Sequence, residues 1–265
     1  MSETTSTPPL IDTHAHLCDD CFDSDREAVL ERARRSGVAA VIAVGETLAD
    51  AHRNLELARH YPMLKPALGL YPAYAEDTAS ANAIETLIRE NRERISSIGE
   101  VGLDYQIARE EKERAAQHIL LKRSAHLAME LDLPLNVHSR AAGRQTIELL
   151  LDTGIKRVQM HAYHGPHKPA KRAVKAGWFF SVPASVVRSN QIQELVSALP
   201  LDSLLLESDS PVLSPVAGER NEPATIANAI ETIARLKSVT TEEAMVILLE
   251  NTTRLYGDSL LSPTA

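Results

Sequence analysis

The sequence predicts an α/β fold, a closed (β/α)8 TIM barrel. Three observations carry the prediction. Short apolar segments and amphipathic helical segments alternate eight times, which means a parallel sheet. Several of the apolar segments, such as Val38–Val44 (VAAVIAV), have no polar face and read as strands buried on both sides. The chain has 265 residues, a length that such barrels fill as one domain. No Gly-x-Gly-x-x-Gly follows the first strand, which argues against an open dinucleotide-binding sheet.

The first strand begins at Leu10-Ile11 and leads into Asp12-Thr13-His14-Ala15-His16. The segment 25–36 (DREAVLERARRS) spaces Ala28, Val29 and Ala33 on a helical face, and Gly37 supplies the left-handed C-cap. After strand 38–44 come helix 49–60, strand 64–70, helix 81–94 and strand 95–100. A long helix at 111–132 precedes strand 133–138. Helix 144–153 ends at Gly154, and strand 157–161 follows. Helix 169–176 ends at Gly177, before strand 178–182, helix 191–198 and strand 204–207. Helices at 225–236 and 241–256 close the barrel. The expected organisation is a disordered tail at 1–9, one barrel domain at 10–257 and a C-terminal tail at 258–265.

Composition narrows the function. A net charge of −8 argues against a protein that coats nucleic acid nonspecifically, while leaving room for an enzyme that grips a few phosphates locally. Cys18 and Cys21 are too few for a disulfide framework and lack the second pair a four-thiolate zinc site needs. Residues 1–9 are polar without an apolar signal core, and no run reaches the ~20 apolar residues of a membrane helix. The expectation is a cytoplasmic protein without an obligate protein partner.

Barrel enzymes place their chemistry at the C-terminal ends of the strands. His14 and His16 end strand one and, two apart, share a face. Glu100 ends strand four, His138 strand five, His161 strand six, and Glu207-Ser208-Asp209-Ser210-Pro211 strand eight. Four of the ten histidines thus fall at strand ends on one rim. Imidazole and carboxylate together suit divalent metals, and the number of donors suggests two ions. His14, His16 and Asp209 would hold one, His138 and His161 the other, with Glu100 bridging through its two oxygens. Two ions about 3.5–4 Å apart can turn water into hydroxide near neutral pH and stabilise both oxygens of a displacement. Asp209 is also the candidate base for that water. Glu207 would be a further catalytic base or would orient a ligand histidine.

All of these residues but His161 lie in four ordered motifs: Asp-x-His-x-His at 12–16, Gly-Glu-Val-Gly-Leu-Asp at 99–104, Val-His-Ser-Arg at 137–140 and Glu-Ser-Asp-Ser-Pro at 207–211. In this order they resemble the TatD family of metal-dependent hydrolases, within the amidohydrolase-like barrels. The segments 139–144 (SRAAGR) and 220–223 (RNEP) are most similar to its TATDN3-like branch. The resemblance spans roughly residues 10–256. It implies a two-metal site, Asp209 as acid/base and 3′-to-5′ deoxyribonuclease activity. D-Aminoacyl-tRNA deacylase action or cleavage of small phosphoesters is the alternative. The working ions would be zinc, manganese or magnesium, and DNA ends a transient partner. The chain departs from the family pattern at Ser208, where threonine is usual, and at His161-Ala162-Tyr163-His164-Gly165, which adds polar groups beside the metals.

Arg140, Arg220 and Asn221 are candidates for phosphate contact, since guanidinium matches phosphate in a bidentate fork. A rim salt bridge is the competing role for either arginine. Tyr71 could stack on a base or simply pack in its loop, and His164 is a candidate substrate contact.

Overall fold

In the computed structural model, which describes residues 7–261, eight strands run in parallel in the order of the chain. They are β1 Leu10–Ala15, β2 Val38–Ala43, β3 Leu64–Leu68, β4 Ser97–Gly102, β5 Leu135–His138, β6 Val158–Met160, β7 Phe179–Pro183 and β8 Leu204–Glu207. The return of β8 to β1 is marked by amide donations from Asp209 to the His14 carbonyl (2.9 Å) and from His16 to the Ser210 carbonyl (2.8 Å). Helices α1 Arg26–Arg35, α2 Leu48–His60, α3 Thr78–Glu90, α4 Glu111–Leu131, α5 Gly143–Thr153, α6 His167–Lys175, α7 Asn190–Ala198, α8 Ile226–Lys237 and α9 Thr241–Tyr256 surround the sheet.

Local chemistry explains the element ends. Thr47 and Asp50 form a reciprocal capping box on α2, and Thr240 and Glu243 do the same on α9. Gly154 closes α5 in the left-handed conformation, as its spacing predicts. The largest boundary differences lie around β4. The helix expected at 81–94 ends at Glu90, because Asn91 turns the chain into a short 3-10 segment over Arg92–Arg94, and β4 starts two residues later than expected. Gly102 lets β4 pass close to β5, since a Cβ there would lie 2.0 Å from the His138 carbonyl oxygen.

The interior of the barrel is stratified. At the N-terminal ends of the strands, Ile11, Ala40, Ile42, Phe179 and Leu205 form an apolar layer with Tyr256 and Leu260. Above it the inward side chains are polar and fully buried: Thr13, Asn136, Gln159 and Glu207. The histidines and carboxylates of the rim come last. The larger apolar layer lies between sheet and helices, and includes Leu17, Phe22, Ile98, Ile147, Trp178 and Phe180.

Two expectations about the termini are affected. Most of the tail expected at 1–9 (residues 1–6) and residues 262–265 lie outside the described residues. The expected C-terminal tail needs correcting: Asp258–Leu261 form a 3-10 turn, and Leu260 is buried in the apolar layer at the base of the barrel. Replacing Leu260 with alanine is expected to cost about 2–3 kcal/mol in urea unfolding, the price of an uncollapsed core cavity. A free tail would show no change.

Candidate metal centre

His14, His16, Glu100, His138, His161 and Asp209 converge at the C-terminal rim of the barrel. His14 Nε2 lies 3.3 Å from His16 Nε2 and 3.6 Å from Asp209 Oδ1, and His16 Nε2 is 3.7 Å from that same oxygen. On the other side, Glu100 Oε1 lies 2.7 Å from His138 Nδ1 and 3.1 Å from His161 Nε2, and these two nitrogens are 3.2 Å apart. Glu100 Oε2 turns toward His16 Nε2, at 3.6 Å. One carboxylate therefore faces both groups of donors. The rings of His14 and His161 stack at 3.8 Å between centroids, joining the two halves.

The donor set fits divalent ions. Ligand atoms about 2.0–2.2 Å from a common ion stand roughly 3–3.5 Å apart, close to the separations found here. The protonation pattern also fits. Asn136 Nδ2 donates to the Thr13 carbonyl (3.0 Å), which fixes the amide and leaves Oδ1 to accept from His14 Nδ1 at 2.9 Å. The proton of His14 is thus on Nδ1, and the Nε2 lone pair points into the cluster. His138 donates from Nε2 to Asp104 Oδ2 (3.2 Å), which also accepts from the Tyr71 hydroxyl (2.8 Å). Its Nδ1 is thereby left facing Glu100. Burial drives the pKa of His14 well below its ordinary value, so this ring is neutral. Burial also opposes charge on His138 and His161, but Glu100 and the carboxylates behind the two rings outweigh it and raise both. Burial likewise pushes Glu100 up, yet His138 and His161 bring it well below the usual range.

The structure separates the roles read for the remaining candidates. Glu207 has no oxygen aimed at the rim. Oε1 accepts from the Ala162 amide at 2.8 Å and Oε2 from the Ser181 hydroxyl at 2.6 Å, with His161 Nδ1 3.6 Å from Oε2. Of the two roles read for it, this placement favours orienting His161 from behind. Arg220 is bound to Asp25 through both terminal nitrogens (3.0 and 2.6 Å) and lies over the ring of Phe22, so its fork is already occupied. Asn221 is fully buried and donates to the Ser208 carbonyl at 2.6 Å; it shapes the loop after β8 and cannot reach a phosphate. Tyr71 has its hydroxyl committed to Asp104 and its ring edge-on to His138, which is the packing role of the two read for it. Arg140 is exposed and has no ion pair among the described residues. His164 is exposed as well, its Nδ1 donating to the Ala162 carbonyl at 2.7 Å.

Three functional residues escaped the sequence reading. Glu46, in the loop after β2, forms a third group of converging donors with His16 and Glu100. Its place at a strand end was the available signal. Asp104 and Asn136 act through the histidines they orient, and only Asp104, inside the Gly-Glu-Val-Gly-Leu-Asp motif, had a sequence cue. Asp12 lies beneath the cluster, as its place two residues before His14 suggests. It accepts from the Ser208 amide and hydroxyl (2.9 and 2.6 Å) and so ties the β8 loop to β1. Asn136→Ala is expected to weaken metal binding about 10–100-fold in a chelator-competition titration while the barrel stays folded. Unchanged affinity would contradict the role given to Asn136.

Comparison with known proteins agrees with this geometry. The sequence profile of the family described as TatD related DNase matches residues 11–257. Human deoxyribonuclease TATDN3 is 39% identical, with 93% of this chain and 94% of the relative covered. The metal-dependent hydrolase YabD of Bacillus subtilis is 32% identical, over 93% of this chain and 98% of the relative. The crystal structure of the TatD homologue YjjV from Escherichia coli superposes with a TM-score of 0.85 at 29% identity, covering 93% of this chain and 97% of that one. With eight parallel strands in register and the histidine–carboxylate cluster at their rim, the chain belongs to the TatD-related DNase family of metal-dependent hydrolases.

Proposed function

We propose that this chain is a two-metal phosphodiesterase that releases nucleotides from the 3′ ends of DNA. The observation that carries the reading is the convergence of imidazole lone pairs and carboxylate oxygens from five strands on one rim, with the protons of His14 and His138 held on the far side of each ring. The names of the relatives supply the phosphodiester class. His14, His16 and Asp209 would hold one ion and His138 and His161 the other, with Glu100 between them; zinc, manganese and magnesium are the ions to test. Bound there, divalent ions supply Lewis-acid charge and lower the pKa of water toward neutrality.

The chain's own residues do the rest. Asp209 accepts the proton of the attacking water and returns it to the leaving oxygen. Its carboxylate is aimed at the histidines by a left-handed backbone (φ 54°), a costly conformation for a residue with a side chain. Arg140, free at the end of β5, binds a substrate phosphate. His164 presents its outer nitrogen to the substrate from the loop after β6. Asp104, Asn136 and Glu207 keep the ligand rings in place.

Two variants separate these roles. Asp209→Asn is expected to lower kcat by about 10²–10⁴-fold with the fold retained, whereas Arg140→Ala raises KM several-fold with little change in kcat. Robust turnover by the first, or a pure kcat defect in the second, would contradict the assignment. The direct test offers 3′-labelled single-stranded DNA to chelated protein after each metal is restored. Metal-dependent release of mononucleotides is expected. Inert DNA together with amino-acid release from charged tRNA would replace this reading with ester hydrolysis.

A further inference from the structure

The base of the barrel, opposite the metal centre, contains a second feature that the reaction does not use. A cavity of about 710 Å³ opens beneath the starts of β3, β4, β5 and β6. Five cationic side chains line it, Arg59, Lys65, Arg92, Arg94 and Arg157, against two acidic ones, Glu93 and Asp132. An excess of positive charge here is notable in a chain of net charge −8.

The cations are held in different ways. Arg157 donates from Nε and Nη2 to the Leu255 carbonyl (3.1 and 2.8 Å) and from Nη1 to the Asp132 carbonyl (2.8 Å). Arg92 donates from Nε to the Leu131 carbonyl at 3.0 Å. Backbone carbonyls orient these guanidinia, and the two acidic side chains pair with them, Glu93 with Arg92 Nη1 and Asp132 with Arg157 Nη1 (3.2 Å), so the uncompensated charge rests on Arg59 and Arg94. Arg94 reaches only the side chain of Asn91 (2.9 Å), and Arg59 has no partner among the described residues. Ile95, Leu133 and Leu260 add apolar surface beside the charges. Cations next to an apolar wall, in a cavity within the ~300–1,000 Å³ of small-molecule sites, suit an organic phosphate better than a bare ion.

Tyr256 also lines this cavity, and its hydroxyl lies where two buried hydrogen-bond chains meet. In one, Asn136 Nδ2 donates to Tyr256 Oη (3.3 Å) while Asn136 Oδ1 accepts from His14 Nδ1 (2.9 Å). In the other, Tyr256 Oη donates to Gln159 Oε1 and Gln159 Nε2 to Ser181 Oγ (2.9 Å). Ser181 Oγ in turn donates to Glu207 Oε2 (2.6 Å), the carboxylate behind His161. A carbonyl or carboxylate acceptor fixes each direction. A displacement of Tyr256 therefore reaches His14 through Asn136 and, through Gln159 and Ser181, the carboxylate that lies 3.6 Å from His161 Nδ1.

We propose that this basal cavity is a second ligand site, for a nucleotide-sized organic phosphate, and that Tyr256 links its occupancy to His14 and His161. The site stands on its own lining; only the choice of a mononucleotide as probe rests on the reading above, in which mononucleotides are the product.

The test uses the full chain freed of metal by a chelator, so that no hydrolysis is needed. Titration calorimetry with deoxyadenosine monophosphate should give one site, at least tenfold weaker in the double variant Arg59→Glu/Arg94→Glu, whose metal-restored activity stays unchanged. Inorganic phosphate should bind at least tenfold more weakly than the nucleotide. In ¹⁵N-histidine spectra the ring signals of His14 and His161 should shift on saturation in the parent chain and in neither the double variant nor Tyr256→Phe, the latter still binding nucleotide. Absence of nucleotide binding, or equal affinity in the double variant, would overturn the site. Inorganic phosphate binding as tightly as the nucleotide would overturn the organic-phosphate assignment. Binding without the histidine shifts would overturn the link through Tyr256.

Discussion

An imidazole can offer a lone pair to a cation only when its other nitrogen carries the proton, and the metal centre of this barrel depends on where those protons lie. Asn136 settles the matter for His14, because its own NH2 is spent on a backbone carbonyl that can only accept. Asp104 does the same for His138, helped by Tyr71. Glu207 stands behind His161, saturated by a backbone amide and a serine hydroxyl. None of these residues needs to touch a substrate. Asn136 and Asp104 convert two buried histidines, His14 and His138, from groups with two possible tautomers into aimed ones, and Glu207 backs the third from 3.6 Å.

That requirement accounts for the polar middle layer of the barrel. Apolar side chains at Asn136, Gln159, Ser181 and Glu207 would pack the interior more cheaply, since a buried polar group stabilises only when fully paired. Here the pairing is nearly complete. His161 Nδ1 is one of the few buried side-chain atoms left without a partner among the described residues, and it belongs to a ring of the cluster. The apolar layer beneath, closed by Tyr256 and Leu260, floors this network. Stability is carried by the layer between sheet and helices, which leaves the barrel interior free to serve the rim.

Much of this was legible in the sequence, for definite reasons. Period-two side-chain alternation and barrel topology together place His14, His16, Glu100, His138, His161 and Asp209 on one rim, and the structure brings all six together. What the sequence could not show are relations made only through space. Asn136 and Tyr256 lie 120 residues apart and meet inside the barrel, with nothing local to mark either. Arg220 in its loop reads the same whether it faces a phosphate or Asp25. Asn221 reads as exposed in a polar, proline-flanked loop, yet folds beneath Ser208. The residues after Gly257 look like a tail because one buried leucine leaves no periodic signal.

The central claim is that two ions sit side by side, one among His14, His16 and Asp209 and one among Glu100, His138 and His161. Anomalous diffraction from crystals grown with manganese or zinc tests it most directly. The account predicts two anomalous peaks about 3.5–4 Å apart at the C-terminal rim, with Glu100 between them. A single peak shared by all six side chains, or peaks bound elsewhere on the barrel, would contradict it.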